Sequence, residues 1–329
     1  MLPQVTLHQI LDWDSPRQNA RLRRELAAGL LQPQACIAPK FFYDALGSRL
    51  FEAITELPEY YPSRTEAAIF AEHLPAIRQA LGHDFTLVDL GCGSCAKAGK
   101  LFHAGVLPAC YVAVDISVDF LRDSLQHLQR ELPAIRMIGL GLDFTDELLL
   151  PDDLPLARRM FFYPGSSIGN FSPPEAGRFL RRLAARLDPS GGLLIGVDLI
   201  KDKALLAAAY DDALGVTAAF NRNLLRHVNA RLDADFQIGD WQHAAYYNAI
   251  DSRIEMHLEA RRALTASWPD TDGRRLRHFA AGERIHTENS YKYSPEGFTA
   301  LLASSGFTDV QVWTDPRNWF ALFFARKAE

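Results

Sequence analysis

The sequence predicts an α/β protein: a doubly wound, largely parallel sheet with an additional domain attached to it. Three observations carry this expectation. Between residues 85 and 200, short apolar runs alternate with amphipathic helical patterns, the mark of successive βαβ units. The first of these runs ends in a glycine-containing turn, Asp89-Leu90-Gly91-Cys92-Gly93. The alternation stops over residues 201–285 and resumes afterwards, so an insert interrupts the core.

Residues 1–80 read as mostly helical. RQNARLRRELAAGLL (17–31) has a helical apolar pattern ended by Pro33, and FYDALGSRLFEAIT (42–55) repeats it through Leu46, Leu50 and Ile54. Pro58 and Pro62 punctuate the next stretch. A helix restarts from the Ser63 cap region and runs to Leu81. FTLVDL (85–90) is the first strand, followed by the glycine turn and a helix. YVAVDIS (111–117), IRMIGLGLDF (135–144), RRMFFYPGS (158–166) and GGLLIGVDLI (191–200) are the next four strands. VDFLRDSLQHLQREL and PPEAGRFLRRLAARL are helices between them. Within the insert, KALLAAAYDDALGVTAAFNRNLLRHVNARL (203–232) reads as one long helical run and EMHLEARRALTA (255–266) as a strand. SPEGFTALLASSGF is a helix, and FTDVQVWTDPRNWFALFFARK gives two strands joined around Asp315-Pro316-Arg317-Asn318. The expected organisation is a helical N-terminal segment (1–63) belonging to the additional domain, a core (64–200), a substrate-facing insert (201–285), and a return to the core (286–329).

Composition narrows the functional classes. Hydrophobic residues make up 48% and charged residues 23% of the 329-residue chain, a globular balance with material for a large core. The formal net charge of −5 is a poor match for nucleic acid. No basic run suits a membrane surface, and no apolar run reaches the ~18 residues of a membrane helix. The early charges Asp12, Asp14 and Arg17 leave no signal-peptide pattern, so a cytoplasmic monomer is expected. Of the four cysteines, Cys36, Cys92, Cys95 and Cys110, only Cys92 and Cys95 have CxxC spacing. No second pair completes a metal set, and reduced thiols with no metal are expected.

The chemistry lies at the strand ends. Glycines at 91 and 93 allow a tight turn and close backbone approach to a ligand. A nicotinamide dinucleotide turn usually needs a third glycine, but residue 96 is Ala. A dehydrogenase on the same sheet, or a nucleoside-binding module without catalysis, are competing readings. Asp115, 24 positions after Gly91, ends the second strand, where a carboxylate can accept both ribose hydroxyls. Asp143 and Phe144 end the third, where a carboxylate can accept from an adenine amino group and a ring can cover the base. Any one of these aspartates can equally be a cap; all three at successive strand ends indicate S-adenosylmethionine. Gly91, Gly93, Ser94, Lys97, Asp115, Asp143 and Phe144 are therefore the candidate cofactor residues. Lys97 is either a partner for the cofactor's carboxylate or a surface lysine. The pattern is that of the class I methyltransferase, Rossmann-like sheet, with LDPSGGLLI (187–195) and the C-terminal strand pair in agreement.

After the fourth strand comes Pro164-Gly165-Ser166-Ser167-Ile168-Gly169-Asn170-Phe171. Asn170 there can hold an amine or a carboxylate, or simply form a turn. LPEYYPSRTEAAI, FFYPGSSIGNFSPPEA, the Tyr-Asp-Asp-Ala region at Tyr210 and the late ENSYKY together resemble the histidine-specific N-alpha-methyltransferases of ergothioneine biosynthesis, over nearly the whole chain. The resemblance implies threefold methylation of the α-amino group of L-histidine to hercynine. It also implies an amino-acid pocket of Tyr43, Tyr60, Gly165, Asn170, Tyr210, Met256, Glu288 and Ser290. Tyr43 and Asn170 would align the reacting amine, Asn170 and Tyr210 would hold the carboxylate, and Glu288 with Ser290 would bind the imidazole nitrogens. The glycine turn, with Cys92 and Cys95, departs from the family's usual small polar version. A relative acting on a tryptophan derivative is the nearest alternative; an indole offers no acceptor nitrogen for the Glu288/Ser290 pair.

Overall fold

The computed structural model describes residues 5–9, 15–145, 148, 150, 151, 154, 158–270 and 273–328. In chain order its elements begin with β1 (Thr6–Gln9), α1 (Pro16–Leu30), α2 (Ala45–Thr55), α3 (Tyr61–Leu81), β2 (Thr86–Leu90), α4 (Ala96–His103) and β3 (Cys110–Asp115). Next come α5 (Val118–Glu131), β4 (Arg136–Gly141), β5 (Arg159–Tyr163), α6 (Pro173–Ala185), β6 (Gly192–Asp198), α7 (Lys203–Ala208) and α8 (Val216–Leu232). They end with β7 (Trp241–Asn248), β8 (Arg253–Ala260), β9 (Leu264–Asp270), β10 (Gly273–Phe279), β11 (Arg284–Tyr291), α9 (Pro295–Ala303), β12 (Phe307–Thr314) and β13 (Phe320–Lys327). Two compact units form: one holds Pro62–Ile200, Tyr291–Glu329 and the N-terminal strand, the other Asp12–Tyr61 and Lys201–Ser290.

The first unit is built on an eight-stranded sheet in the order β1-β4-β3-β2-β5-β6-β13-β12. Its first six strands pair in parallel, and β13 and β12 close it antiparallel. From β2 the chain winds one way through β3 and β4, then the other way through β5 and β6. The order therefore reverses between β2 and β5, the switch point at whose carboxyl edge such sheets bind ligands. Successive strand residues enter opposite apolar layers. Val88, Val112, Ile138 and Phe161 pack with Phe179 and Leu183 of α6 and Phe298 of α9. Leu87, Tyr111, Met137 and Phe162 pack with Ile77 of α3, Leu101 of α4 and Leu121 of α5. Burial on both faces makes these strands read as unbroken apolar runs, and each fully buried Leu or Phe contributes about 1.5–3 kcal/mol. Four of the expected strands stop earlier than read: β3 at Asp115, β4 at Gly141, β5 at Tyr163 and β6 at Asp198, leaving Asp143, Phe144 and Gly165 in the connecting loops. β1 falls where helix was expected, because four residues are too few to show a period.

The second unit joins the N-terminal helices to the insert. α1 and α2 pack on α8. Strands β11, β8 and β7 form one sheet, and β10 pairs with β9. The N-terminal segment pairs beside β11 in a short parallel bridge: Ile37 N–H donates to the His286 carbonyl at 2.9 Å and His286 N–H to the Ala35 carbonyl at 2.8 Å. Several expectations give way here. The helical run 203–232 breaks, because Gly215 takes φ +75° and Asp212 accepts from Val216 and Thr217 N–H at 2.9 and 2.7 Å, starting a fresh helix. EMHLEARRALTA is two strands, not one, turning between Ala260 and Leu264. The helix expected from residue 42 starts at Ala45, capped by Asp44, which accepts from Gly47 N–H at 2.6 Å. The helix expected to restart at Ser63 begins instead at Tyr61, since proline is tolerated in a first turn. The return to the core comes at Tyr291, not residue 286, because β11 stays paired with β8. Glu288 and Ser290 thus belong to the second unit. Among the described residues no helix is long and apolar enough to cross a membrane.

Candidate active site

The parallel strands present their carboxyl ends at one edge, and the three aspartates stand there. The turn after β2 is hooked onto β3: Gly91 and Cys92 N–H both donate to the Val114 carbonyl, at 2.8 and 3.1 Å. Gly91 takes φ +71° and Gly93 φ +52°, conformations costly for any other residue. Asp115 accepts from Gly93 N–H and Ser117 N–H, each at 2.9 Å. Burial pushes its carboxyl upward, and those backbone donors pull it back. A carboxylate has about four acceptor positions, so two hydroxyls can still be received. Asp143 accepts from Thr145 N–H at 3.1 Å and from the Thr145 hydroxyl, which fixes it in the turn beyond β4. The Phe144 ring lies 3.6 Å from where a Gly91 Cβ would stand, and its edge meets Tyr163 at 5.8 Å between centroids. A Cβ on Gly93 would meet nothing within 4 Å. Ser94 is half-buried beside this space.

Asp89 is 1% exposed. Burial pushes its carboxyl up to about 7, against the hydrogen bond from Tyr111 and the charge of Lys97. Tyr111 donates to Oδ2 at 2.8 Å, while Oδ1 has no partner among the described residues. An orphan buried acceptor, open space over Gly93 and a ring beside Gly91 suit a nucleoside carrying a cationic amino-acid tail.

Lys97 has a partner that its sequence context did not suggest. Its Nζ lies 2.6 Å from Glu66 Oε2, and Glu66 Oε1 accepts from Gly165 N–H at 2.7 Å. In the loop after β5, Gly165 and Ser166 take φ +76° and +60°, and Ser166 Oγ accepts from Asp198 N–H at 2.8 Å. Buried Ile168 anchors the following short turn, Ser167–Asn170. Asn170 ends it half-buried, with no side-chain hydrogen-bond partner among the described residues.

The other residues expected to line the acceptor pocket, Tyr43, Tyr60, Tyr210, Met256, Glu288 and Ser290, lie in the second unit. Tyr210 Oη donates to Ser290 Oγ at 2.7 Å. Tyr60 meets Tyr210 at 6.3 Å between ring centroids. Phe51 links Tyr60 (6.3 Å) to Tyr43 (5.8 Å), giving a continuous aromatic wall that ends on a hydroxyl pair. Glu288 and Ser290, two apart on β11, share one face of the strand; both are buried, as is Met256 on β8. His243, burial having lowered its pKa, takes a neutral tautomer assigned from its partners. Asn221 Nδ2 donates to Nδ1 at 2.8 Å and Nε2 donates to the Tyr210 carbonyl at 2.8 Å. Phe51, Asn221 and His243 were missed in the sequence, where each reads as ordinary helix-face or strand composition.

A second cluster, Glu255, His257 and His286, brings three ligating atoms within 4.8 Å of one another. Burial would raise the Glu255 carboxyl, but Asn248, Tyr246 and Arg253 together hold it at about 2. With its oxygens taken by those donors at 2.7–2.9 Å, the group is a buried polar network.

The switch-point edge, the ordered glycine turn and the three aspartates define an S-adenosylmethionine-dependent methyltransferase of the class I type. Residues 22–327 match the family model described as "Histidine-specific methyltransferase, SAM-dependent", and the chain belongs to that family. It is 42% identical over 312 residues to the histidine N-alpha-methyltransferase of Mycolicibacterium smegmatis, covering 92% of this chain and 94% of that protein. It is 39% identical over 320 residues to the histidine N-alpha-methyltransferase of Mycobacterium tuberculosis, covering 93% and 95%. Among solved structures, the CcbJ methyltransferase from Streptomyces caelestis aligns with a TM-score of 0.49 and 15% identity, covering 87% of this chain and all of that one.

Proposed function

We propose that this protein methylates the α-amino group of L-histidine three times, forming hercynine on the route to ergothioneine. It acts as a cytoplasmic monomer on a free amino acid, with no nucleic-acid or membrane partner. The observation that carries the reading is the hydroxyl pair Tyr210–Ser290 beside Glu288 on the same strand face. An imidazole needs an acceptor and a donor in fixed positions. Glu288 accepts from one ring nitrogen. Ser290, held by Tyr210's hydrogen bond, offers a hydroxyl at a fixed position for the other nitrogen. The match to a histidine-specific family supports this assignment.

When bound, S-adenosylmethionine supplies a methyl group activated on a sulfonium. Gly91, Gly93, Ser94, Lys97, Asp115, Asp143 and Phe144 hold it. On this reading Gly165 and Asn170 of the first unit, and Tyr43, Tyr60, Tyr210 and Met256 of the second, serve the acceptor, Tyr43 and Asn170 its amine. Their contribution is orientation of a neutral lone pair. No histidine base accompanies Asn170 in sequence, so the amine's proton leaves through water. The small residues Gly165, Ser166 and Ser167 leave room for a growing amine to turn.

The test is a mass-resolved screen of purified protein with S-adenosylmethionine over the free amino acids. Histidine should gain one, two and finally three methyl groups. Methylation of another amine with none on histidine would overturn the assignment.

A further inference from the structure

Glu66 is a carboxylate in an unusual position. It sits on α3 within EYYPSRTEAAI, is 1% exposed, and touches two other elements of the first unit. Oε2 lies 2.6 Å from the ammonium of Lys97, in the first turn of α4. Oε1 receives Gly165 N–H at 2.7 Å. Two glycines make the space for this arrangement. A Cβ on Gly165 would stand 2.8 Å from Lys97 Nζ, and a Cβ on Gly196 would collide with Glu66 Oε1.

We propose that Glu66 is a positioning residue for methyl transfer, holding Lys97 on the donor side and Gly165 on the acceptor side in one register. The proposal rests on the functional reading above, for Lys97 at the methyl donor and for Gly165 at the acceptor. Lys97 is a flexible side chain; its ion pair fixes Nζ and leaves two N–H donors for a ligand carboxylate. Gly165 and Ser166 are consecutive left-handed residues, a conformation that persists only when surrounding contacts impose it, and the segment they begin carries Asn170. One side chain sets both. Only an ionised carboxylate accepts at both oxygens; an amide must turn its NH2 against either the ammonium or the Gly165 N–H.

That asymmetry supplies the test. Glu66→Gln, Lys97→Met and the double variant would be compared by calorimetric affinity for S-adenosylmethionine and by kcat and KM for histidine. Glu66→Gln should lose roughly tenfold or more in kcat/KM and in cofactor affinity, the scale of one unsatisfied charge-assisted hydrogen bond. The double variant should be no worse than Lys97→Met alone, because the amide NH2 no longer faces an ammonium and its oxygen still receives Gly165. Glu66→Gln within twofold of wild type in both measurements would overturn the proposal. So would losses that multiply in the double variant. If Glu66→Gln does not fold, comparing Lys97→Met with the double variant decides the matter, since loss of acceptor KM on adding Gln contradicts the rescue. Cofactor affinity needs no acceptor, so a wild type that binds S-adenosylmethionine without methylating histidine would sink the substrate reading and leave the affinity cycle to judge Glu66.

Discussion

Replacing Lys292 with Met should destabilise the first unit by about 3–5 kcal/mol. Lys292 Nζ lies 2.7 Å from Asp198 Oδ2, and the two side chains are 0% and 1% exposed. The pair joins the end of β6, where the chain leaves the first unit, to the segment by which it returns. Around it Tyr293 N–H donates to the Asp198 carbonyl at 3.2 Å and Ile200 N–H to the Tyr293 carbonyl at 3.0 Å. The Coulombic gain of such a pair roughly offsets its desolvation, so its net stabilisation is small. Removing only the ammonium takes from a buried carboxylate its Lys292 countercharge in a low-dielectric interior, and that is the large term. Asp198→Asn combined with Lys292→Met should therefore lose far less than Lys292→Met alone. Native-state hydrogen exchange of β6 and β13 amides reads the first unit by itself. A loss below about 1 kcal/mol for Lys292→Met, or a double variant as damaged as both singles added together, would refute the reasoning.

The same structure sets other outcomes. Asp89 has its carboxyl raised to about 7 by burial, so the stability it contributes is full below the unfolded value near 3.8 and is lost as pH rises through 7. Asp89→Asn should gain up to about 4 kcal/mol at pH 8 and nothing in acid, checked by thermal melts across pH. His257 is held at about 4 by burial, with the charge of His286 adding to it. Its stabilisation is full above the unfolded pKa near 6.5 and falls by about 3 kcal/mol as pH drops to 4. His257→Phe, which keeps the stack on Tyr246, should flatten that acid step in the second unit's hydrogen exchange. Glu288→Ala should weaken histidine binding roughly tenfold to a hundredfold while cofactor affinity stays within twofold; equal loss of both in calorimetry would remove Glu288 from the imidazole site.

The sheet and the insert differed in how far they could be read from sequence. β2, β3, β5 and β6 are buried on both faces, so their apolar runs stood out, and Asp89 in β2 and Asp115 at the end of β3 were visible as interruptions. In the second unit the strands bury polar side chains: Glu255 and His257 on β8, Thr287, Glu288 and Ser290 on β11. Alternation of apolar and polar residues is the usual sign of a strand, and it fails where the buried face is itself polar. Glu66 was illegible for a different reason. A glutamate on a helix normally reads as solvated, and its burial depends on Lys97 and Gly165, 31 and 99 positions away.

Polar burial on β8 and β11 is a poor way to build a stable sheet. Each such group must find a partner or carry a desolvation cost, and two do not: His257 Nδ1 and the Thr287 hydroxyl have no partner among the described residues. Local rules that fail in folded proteins tend to fail where function requires it. The first unit shows the opposite arrangement, with backbone N–H groups and short carboxylates at the sheet's carboxyl edge on an apolar scaffold. Such an edge can serve many acceptors unchanged. The side chains that could distinguish one amino acid from another are concentrated in the polar strands of the second unit. Substitutions at Met256, Glu288 and Ser290 should accordingly change which acceptor is used before they change affinity for the methyl donor.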